Sequence, residues 1–319
     1  MKLALVATLL AAALRAGAPT GDPAAVERTH GLVAFWTFGE EKGPRMSRGT
    51  KETHPLETVG PEPTPLDAGP YSGRSLHFAG RSYLRIPNAR LGGLNISGKD
   101  ARVSMFAVVR MDELKRGSTI AGIWSEGKGA FDDSGTRQYA MLLNMPMYGG
   151  KGQLTPHVSG VGGHSRRADG SALPWCVDYA ANVTPLPMGR WVTLSFTYDG
   201  RWIRAYYDGK MEARTVDPTR DNRADTYFTK EGPDGAHRGI NPYFYDKGIF
   251  SYDPVKHAET KPGGGADFTV AARYAGGSML GEALKGALGG LAVFNRALTD
   301  EEVAALHASA GVDRLNAPR

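Results

Sequence analysis

The 319-residue chain carries 38 basic and 33 acidic side chains, a formal charge of +5, with 41% hydrophobic residues and one cysteine. That apolar content supplies a sizeable core, while 42 glycines and 20 prolines favour many turns over long helices. No block of Lys or Arg and no zinc-finger or RNA-binding spacing occurs, which argues against nucleic acid as a partner; the lone Cys176 excludes an internal disulfide.

Residues 1–18 read as a secretory signal: Lys2 is the positive end, residues 3–14 are an apolar run too short to span a bilayer, and Ala16-Gly17-Ala18 fits small-x-small cleavage. No other apolar run approaches membrane length. The expectation is therefore an exported protein (secreted, periplasmic or on the cell surface) without membrane insertion. Residues 19–30 read as a flexible lead-in, 31–310 as one domain and 311–319 as a tail.

Residues 31–40 (GLVAFWTFGE) predict a strand with Leu32, Ala34, Trp36 and Phe38 on one side. Residues 40–70, rich in Pro, Gly, Thr and charge, predict a long surface loop. A hairpin follows at 75–87, a strongly apolar strand at 102–111, then strands at 119–124 and 138–145, with 153–159 pairing back on 138–144. Residues 160–187 are loop-like. The centre of the chain is 191–210, WVTLSFTYDGRWIRAYYDGK, where Val192, Leu194, Phe196 and Tyr198 alternate with Thr193, Ser195 and Thr197. Asp199-Gly200 and Asp208-Gly209 predict two tight turns, hence a β-meander continuing through 211–216. Residues 217–267 form a long insertion with few aliphatic residues and many aromatics, functional in character by its length. Strands at 268–274 and 286–294 precede a helix over 299–310, with Thr299 and Glu302 at capping-box spacing.

These stretches resemble the laminin-G-like jelly roll of the concanavalin A-like lectin/glucanase superfamily, as found in secreted bacterial proteins. The resemblance rests on GLVAFWTFGE, SLHFAGRSYLRIP, RVSMFAVVRMD, the meander, and LGGLAVFNRALTDEEVAALH in that order. It implies an all-β, concanavalin A-like jelly-roll β-sandwich with long loop insertions and a short C-terminal helix, its first and last strands side by side. The superfamily includes sugar-binding modules, adhesion domains, glycoside hydrolases and polysaccharide lyases, and many laminin-G-like members bind calcium.

The residues rank those chemistries. Hydrolysis needs two carboxylates flanking one bond, and no strand read here carries two acids on one face. A lyase acting on an acidic glycan needs a base and a cation or amide beside it. Strand parity turns Arg204 and Tyr206 away from the core, onto an expected open face, and His157 and Tyr139 join them if 153–159 belongs to that sheet. Sugar binding needs aromatic faces and polar side chains. Tyr243, Tyr245 and Tyr252 of the insertion, with Trp175, His164 and Arg166 of the earlier loop and Arg204 and Tyr206, are the candidate set. The same aromatics could instead be a private core that folds the insertion. Asp132 and Asp133, completed by Asp178 or Asp267, are the oxygen cluster best suited to Ca2+; nothing points to an organic cofactor, and the His residues lack zinc spacing. The leading expectation is a non-catalytic glycan-binding protein, with a polysaccharide lyase and a structural adhesion or surface-assembly domain as alternatives.

Overall fold

The computed structural model describes residues 18–131, 133–145, 150–166, 170–213, 239–252 and 264–317. Period-two alternation resolves among them into two antiparallel sheets packed face to face, an all-β sandwich with a short C-terminal helix. The larger sheet runs β12 (Lys210–Met211), β11 (Trp202–Tyr207), β10 (Trp191–Tyr198), β6 (Val103–Glu113), β15 (Lys285–Phe294), β4 (Ser75–Ala79) and β3 (Thr64–Leu66). Beside this path, β1 (Leu32–Trp36) pairs with β15, so the first and last strands are neighbours, and β13 (Tyr243–Phe244) pairs with β11. The smaller sheet runs β2 (Glu57–Val59), β5 (Tyr83–Ile86), β14 (Phe268–Val270), β7 (Thr119–Ser125), β8 (Thr136–Met145) and β9 (Gly150–Val158). The 40–70 stretch is thus not loop throughout: it contributes the short edge strands β2 and β3.

The main core fills the space between the sheets. Val103, Met105, Ala107 and Val109 of β6 meet Val192, Leu194, Phe196 and Tyr198 of β10 on one side, against Tyr139, Met141 and Leu143 of β8 on the other. Parity in β11 is as the sequence requires, with Ile203 and Ala205 in this core. The far face of the larger sheet, however, is not open. Three helices cover it: α1 (Pro23–Glu27), α2 (Asp300–Ala310) and α3 (Val312–Asn316). Val303 and Leu306 of α2 and Val26 of α1 bury Phe35, Phe106, Val108 and Tyr206 in a second apolar cluster. The lead-in and the tail therefore hold helices that pack on the sandwich rather than loose ends. Thr299 caps α2, Glu302 completes the capping box, and Gly311 closes the helix in the left-handed region.

The two Asp-Gly turns differ. Tyr198 pairs with Ile203, the Asp199 amide donates to the Trp202 carbonyl at 3.4 Å, and the Asp199 carboxylate accepts from the Arg201 and Trp202 amides, so the turn closes over Gly200-Arg201 rather than over Asp199-Gly200. Tyr207 pairs with Lys210, and Asp208 (φ 44°) and Gly209 (φ 77°) both adopt the left-handed values of a type I′ turn. Of the expected continuation through 211–216, residues 214–216 lie outside the described set, as do 217–238 and 253–263 of the insertion. A Cβ at Gly209 would sit 2.7 Å from the His307 Cβ of α2. Gly209→Ala should therefore cost about 1–3 kcal/mol, through strained φ and a displaced helix, measured as a lower denaturant midpoint; an unchanged midpoint would mean that the turn and α2 are not coupled.

Candidate functional site

Helices cover most of the far face of the larger sheet, whereas among the described residues no α-helix packs on the outer face of the smaller one. Residues 170–187 run along its β9 edge: an antiparallel bridge joins His157 to Tyr179, and the Val158 and Asn182 amides donate to Asp178 and Leu154 carbonyls. Between this segment, the strand ends and residues 273–282 lies a cavity of about 430 Å³, lined by His157, Trp175, Tyr179, Glu126, Arg273 and Glu282 among others. A wider groove of about 890 Å³ lies beside Trp191, Arg110 and α3. There Trp191 is buried, with Arg110 over its ring and both its backbone polar groups bonded to the Asn316 side chain, so its ring is not offered to a ligand.

The cavity floor is an ion network. Trp124 and Glu126 share a face of β7 and its end, and the Trp124 Nε1–H donates to the Glu126 carboxylate at 2.7 Å. Arg137, paired across the ladder with Trp124, donates from Nε to the same carboxylate at 3.0 Å and from Nη2 to the Glu126 carbonyl at 2.7 Å. Arg273 approaches Glu126 at 3.5 Å, donates to Thr119 Oγ1 at 2.8 Å and to the Gly117 carbonyl, and pairs with Glu282. Burial alone would raise the Glu126 carboxyl, but Arg137 and Arg273 reverse this and hold it at about 2. For Glu282 burial prevails and pushes the carboxyl up against the pull of Arg273.

Above this floor His157 stacks on Tyr179, centroids 4.6 Å apart at 22°, with Trp124 edge-on at 5.5 Å. Its Nδ1 lies 2.8 Å from the Thr155 carbonyl, which can only accept, so Nδ1 carries the proton and Nε2 the lone pair. Burial pushes His157 down to about 4. Burial also raises the Cys176 thiol to about 12, which makes it a packing group rather than a nucleophile.

Of the residues singled out from the sequence, the structure brings His157 and Trp175 together here. The others are elsewhere. Because β9 belongs to the smaller sheet, His157 does not join Arg204 and Tyr206. Arg204 is half-buried and pairs with Asp199 at 2.6 Å, and Tyr206 lies under α2 with its hydroxyl donating to Asp300 at 2.7 Å. Tyr139 is in the main core, donating to the Leu94 carbonyl at 2.7 Å. The insertion's tyrosines are anchors: Tyr243 donates to Asp178 at 3.0 Å, Tyr245 accepts from the Gly160 amide at 2.5 Å, and Tyr252 accepts from the Arg137 amide at 2.9 Å. All three are buried, Tyr243 and Tyr245 within the main core, so they anchor the insertion to the sandwich and are not stacking surfaces. His164 is buried, its amide donating to Asp133 at 3.0 Å, and Arg166 is exposed, 3.6 Å from the same carboxylate. Asp132 lies outside the described residues, Asp178 serves Tyr243 and Ser165, and Asp267 accepts from the Asn88 amide. Among the described residues no three His, Cys, Asp or Glu side chains form a metal set. Glu126, Arg273, Glu282 and Tyr179 were not expected; the signal available was Arg137, a charge at the start of an otherwise apolar strand.

No protein-family model matches the chain, and no curated protein sequence matches it. Solved structures similar in fold include domain 4 of AbnA, an extracellular GH43 arabinanase from Geobacillus stearothermophilus in complex with arabinotriose, at 16% identity and TM-score 0.49 over 86% of this chain and 98% of that one. The sialidase of Trypanosoma rangeli is similar at 13% identity and TM-score 0.47, over 91% of this chain, which spans 34% of the sialidase's length. The receptor-binding domain of a botulinum neurotoxin C/D mosaic serotype is similar at 6% identity and TM-score 0.44, over 87% of this chain and 51% of that one. No helix among the described residues is long and apolar enough to cross a membrane.

His157 and Glu126 set an acid limit on the fold, partly offset by Glu282, whose raised carboxyl takes up its proton more readily when folded. Between pH 6.5 and about 4 the unfolded chain takes up a proton that folded His157 refuses, and from about 4.5 down to about 2 unfolded Glu126 does the same. Both depressed pKa values therefore contribute stability that is lost as pH falls. Thermal unfolding should show Tm falling from pH 6.5 to 4, and His157→Gln should flatten that part of the fall. A parent Tm that stays level over this range would contradict the buried neutral imidazole.

Proposed function

We propose that this chain is an exported glycan-binding protein of laminin-G-like type, with its sugar site in the cavity on the outer face of the smaller sheet. The observation that carries the reading is the composition of that cavity: Trp175 and Tyr179 supply aromatic surface, while His157, Arg273 and Glu282 supply hydrogen-bonding groups around about 430 Å³. Apolar ring faces with a few fixed polar groups suit a sugar, whose CH face stacks while its hydroxyls bond. The cations on the floor are already matched by carboxylates, so a neutral sugar binds without displacing an ion pair. Calcium support through Asp132 and Asp133 belongs to the same proposal and is read by repeating the binding with a chelator.

Trp175→Ala should weaken glycan binding by roughly fivefold or more, corresponding to the ~1 kcal/mol of an aromatic contact, and leave Tm nearly unchanged because Trp175 is only half-buried. Titration calorimetry against oligosaccharides chosen from a glycan array makes the measurement. Equal affinity in parent and variant removes the sugar from this cavity.

β-Elimination on an acidic glycan is the second reading, and one observation favours it: His157 presents an unprotonated Nε2 in the cavity that also holds Tyr179 and Arg273. The imidazole could take the C5 proton of a uronate while a guanidinium neutralises its carboxylate; the C4=C5 double bond forms as the C4–O bond breaks, and the imidazolium returns the proton to the leaving oxygen. With His157 held down at about 4, activity should persist at pH 5.5, where an ordinary histidine is mostly protonated. The assay is ultraviolet absorbance of an unsaturated uronate product from alginate or polygalacturonate. Rising absorbance that His157→Gln abolishes establishes the lyase; a flat trace with retained binding leaves a binding protein.

A further inference from the structure

Phe131 is the most exposed large apolar side chain among the described residues, at 63%, and its backbone is left-handed at φ 59°. A bulky aromatic gains nothing from either condition: the ring stays in water, and the Cβ crowds the carbonyl that follows. The segment is nonetheless clipped in place on both sides of the ring. The Phe131 amide donates to the Pro174 carbonyl at 2.9 Å, and the Asp133 carboxylate accepts from the His164 amide at 3.0 Å. The ring leans on His164, centroids 6.3 Å apart at 58°, and leaves its other face to solvent. Pro174 immediately precedes Trp175, the aromatic of the cavity. A strained, exposed phenylalanine is thus tied through its backbone to the residue that precedes Trp175. Strain maintained by surrounding hydrogen bonds is characteristic of ligand-holding positions.

We infer that Phe131 is an outer stacking subsite, so that the ligand is a saccharide chain rather than a single sugar, with one unit in the cavity and a neighbouring unit across the Phe131 ring. This rests on the cavity reading above and adds the length of the ligand to it. A monosaccharide reaches the cavity alone, whereas an oligosaccharide gains the second aromatic face, which is sequence-tolerant because any pyranose or furanose offers CH groups to a ring.

The test uses the full chain with Phe131→Ala, Phe131→Gly and Trp175→Ala. Native gels are cast with arabinan, xylan, laminarin or polygalacturonate, and the monosaccharide of the retarding polymer is then titrated by calorimetry. Phe131→Ala should bind the polymer at least about threefold more weakly while its monosaccharide affinity stays at the parent value, and Trp175→Ala should lose both. Phe131→Gly should also weaken polymer binding, with a Tm equal to or above that of the parent, since glycine relieves the left-handed strain. Equal retardation of parent and Phe131→Ala overturns the subsite and leaves the cavity reading standing. A parent retarded by none of the polymers overturns the cavity reading and this inference with it. A Tm lowered by more than about 4 °C in Phe131→Gly makes the ring structural and overturns the subsite whatever the gels show.

Discussion

The structure depends most on a carboxylate buried between two guanidiniums. Glu126 takes hydrogen bonds from Trp124 and Arg137 and lies 3.5 Å from Arg273. Charges removed from water are costly, and they stay charged only when their partners are close and their remaining donors are satisfied. Arg273 reaches back to Gly117 and Thr119, at the start of β7, and outward to Glu282. One network therefore fixes the end of β7, the start of β8 and the segment after β14. A sheet face that could have been covered by apolar side chains is kept polar, rigid and shaped.

The two outer faces of the sandwich have diverged for that reason. On the larger sheet, Phe106, Val108 and Phe294 present an apolar surface that α2 covers with Val303, Leu306 and Ala310. On the smaller sheet the buried ions prevent such a seal. A helix laid there would have to match the hydrogen-bonding demands of Arg137, Arg273 and Glu282. Instead an irregular segment follows the β9 edge, satisfied by its own backbone bonds, and leaves space beside His157 and Trp175. The position of the candidate site is thus a consequence of where charge is buried.

Local order was legible in the sequence because it has local causes. The apolar run of 102–111 and the alternation of 191–198 identify strands, and Thr299 with Glu302 identifies the start of α2 and its cap. The pairing of β1 with β15 came from resemblance rather than from any local pattern. What escaped the sequence was long-range. Parity correctly turns Tyr206 away from the core, but it cannot say that a helix from the other end of the chain lies on top. Nor does any local pattern assign β9 to the smaller sheet, on which the separation of His157 from Arg204 depends. Glu126 is followed by Gly127 and reads as the start of a loop; its role appears only when β8 brings Arg137 beneath it.

The insertion's tyrosines show why aromatic density alone misleads. Tyr243, Tyr245 and Tyr252 have the residue type of a sugar platform, yet each ring is buried and each hydroxyl is bonded to a named partner. A buried phenol is stabilised by that bond and stacks on nothing from outside. Trp175 and Phe131 lack this double engagement: one is half-buried at a cavity, the other faces water. The charges beneath them bear on ligand class in the same way. Arg273 is shared between Glu126 and Glu282, and a ligand carboxylate could bind it only by displacing Glu282, the acid whose ionised form burial already disfavours. Neutral saccharides require no such exchange, and that difference ranks binding of a neutral chain above elimination on an acidic one.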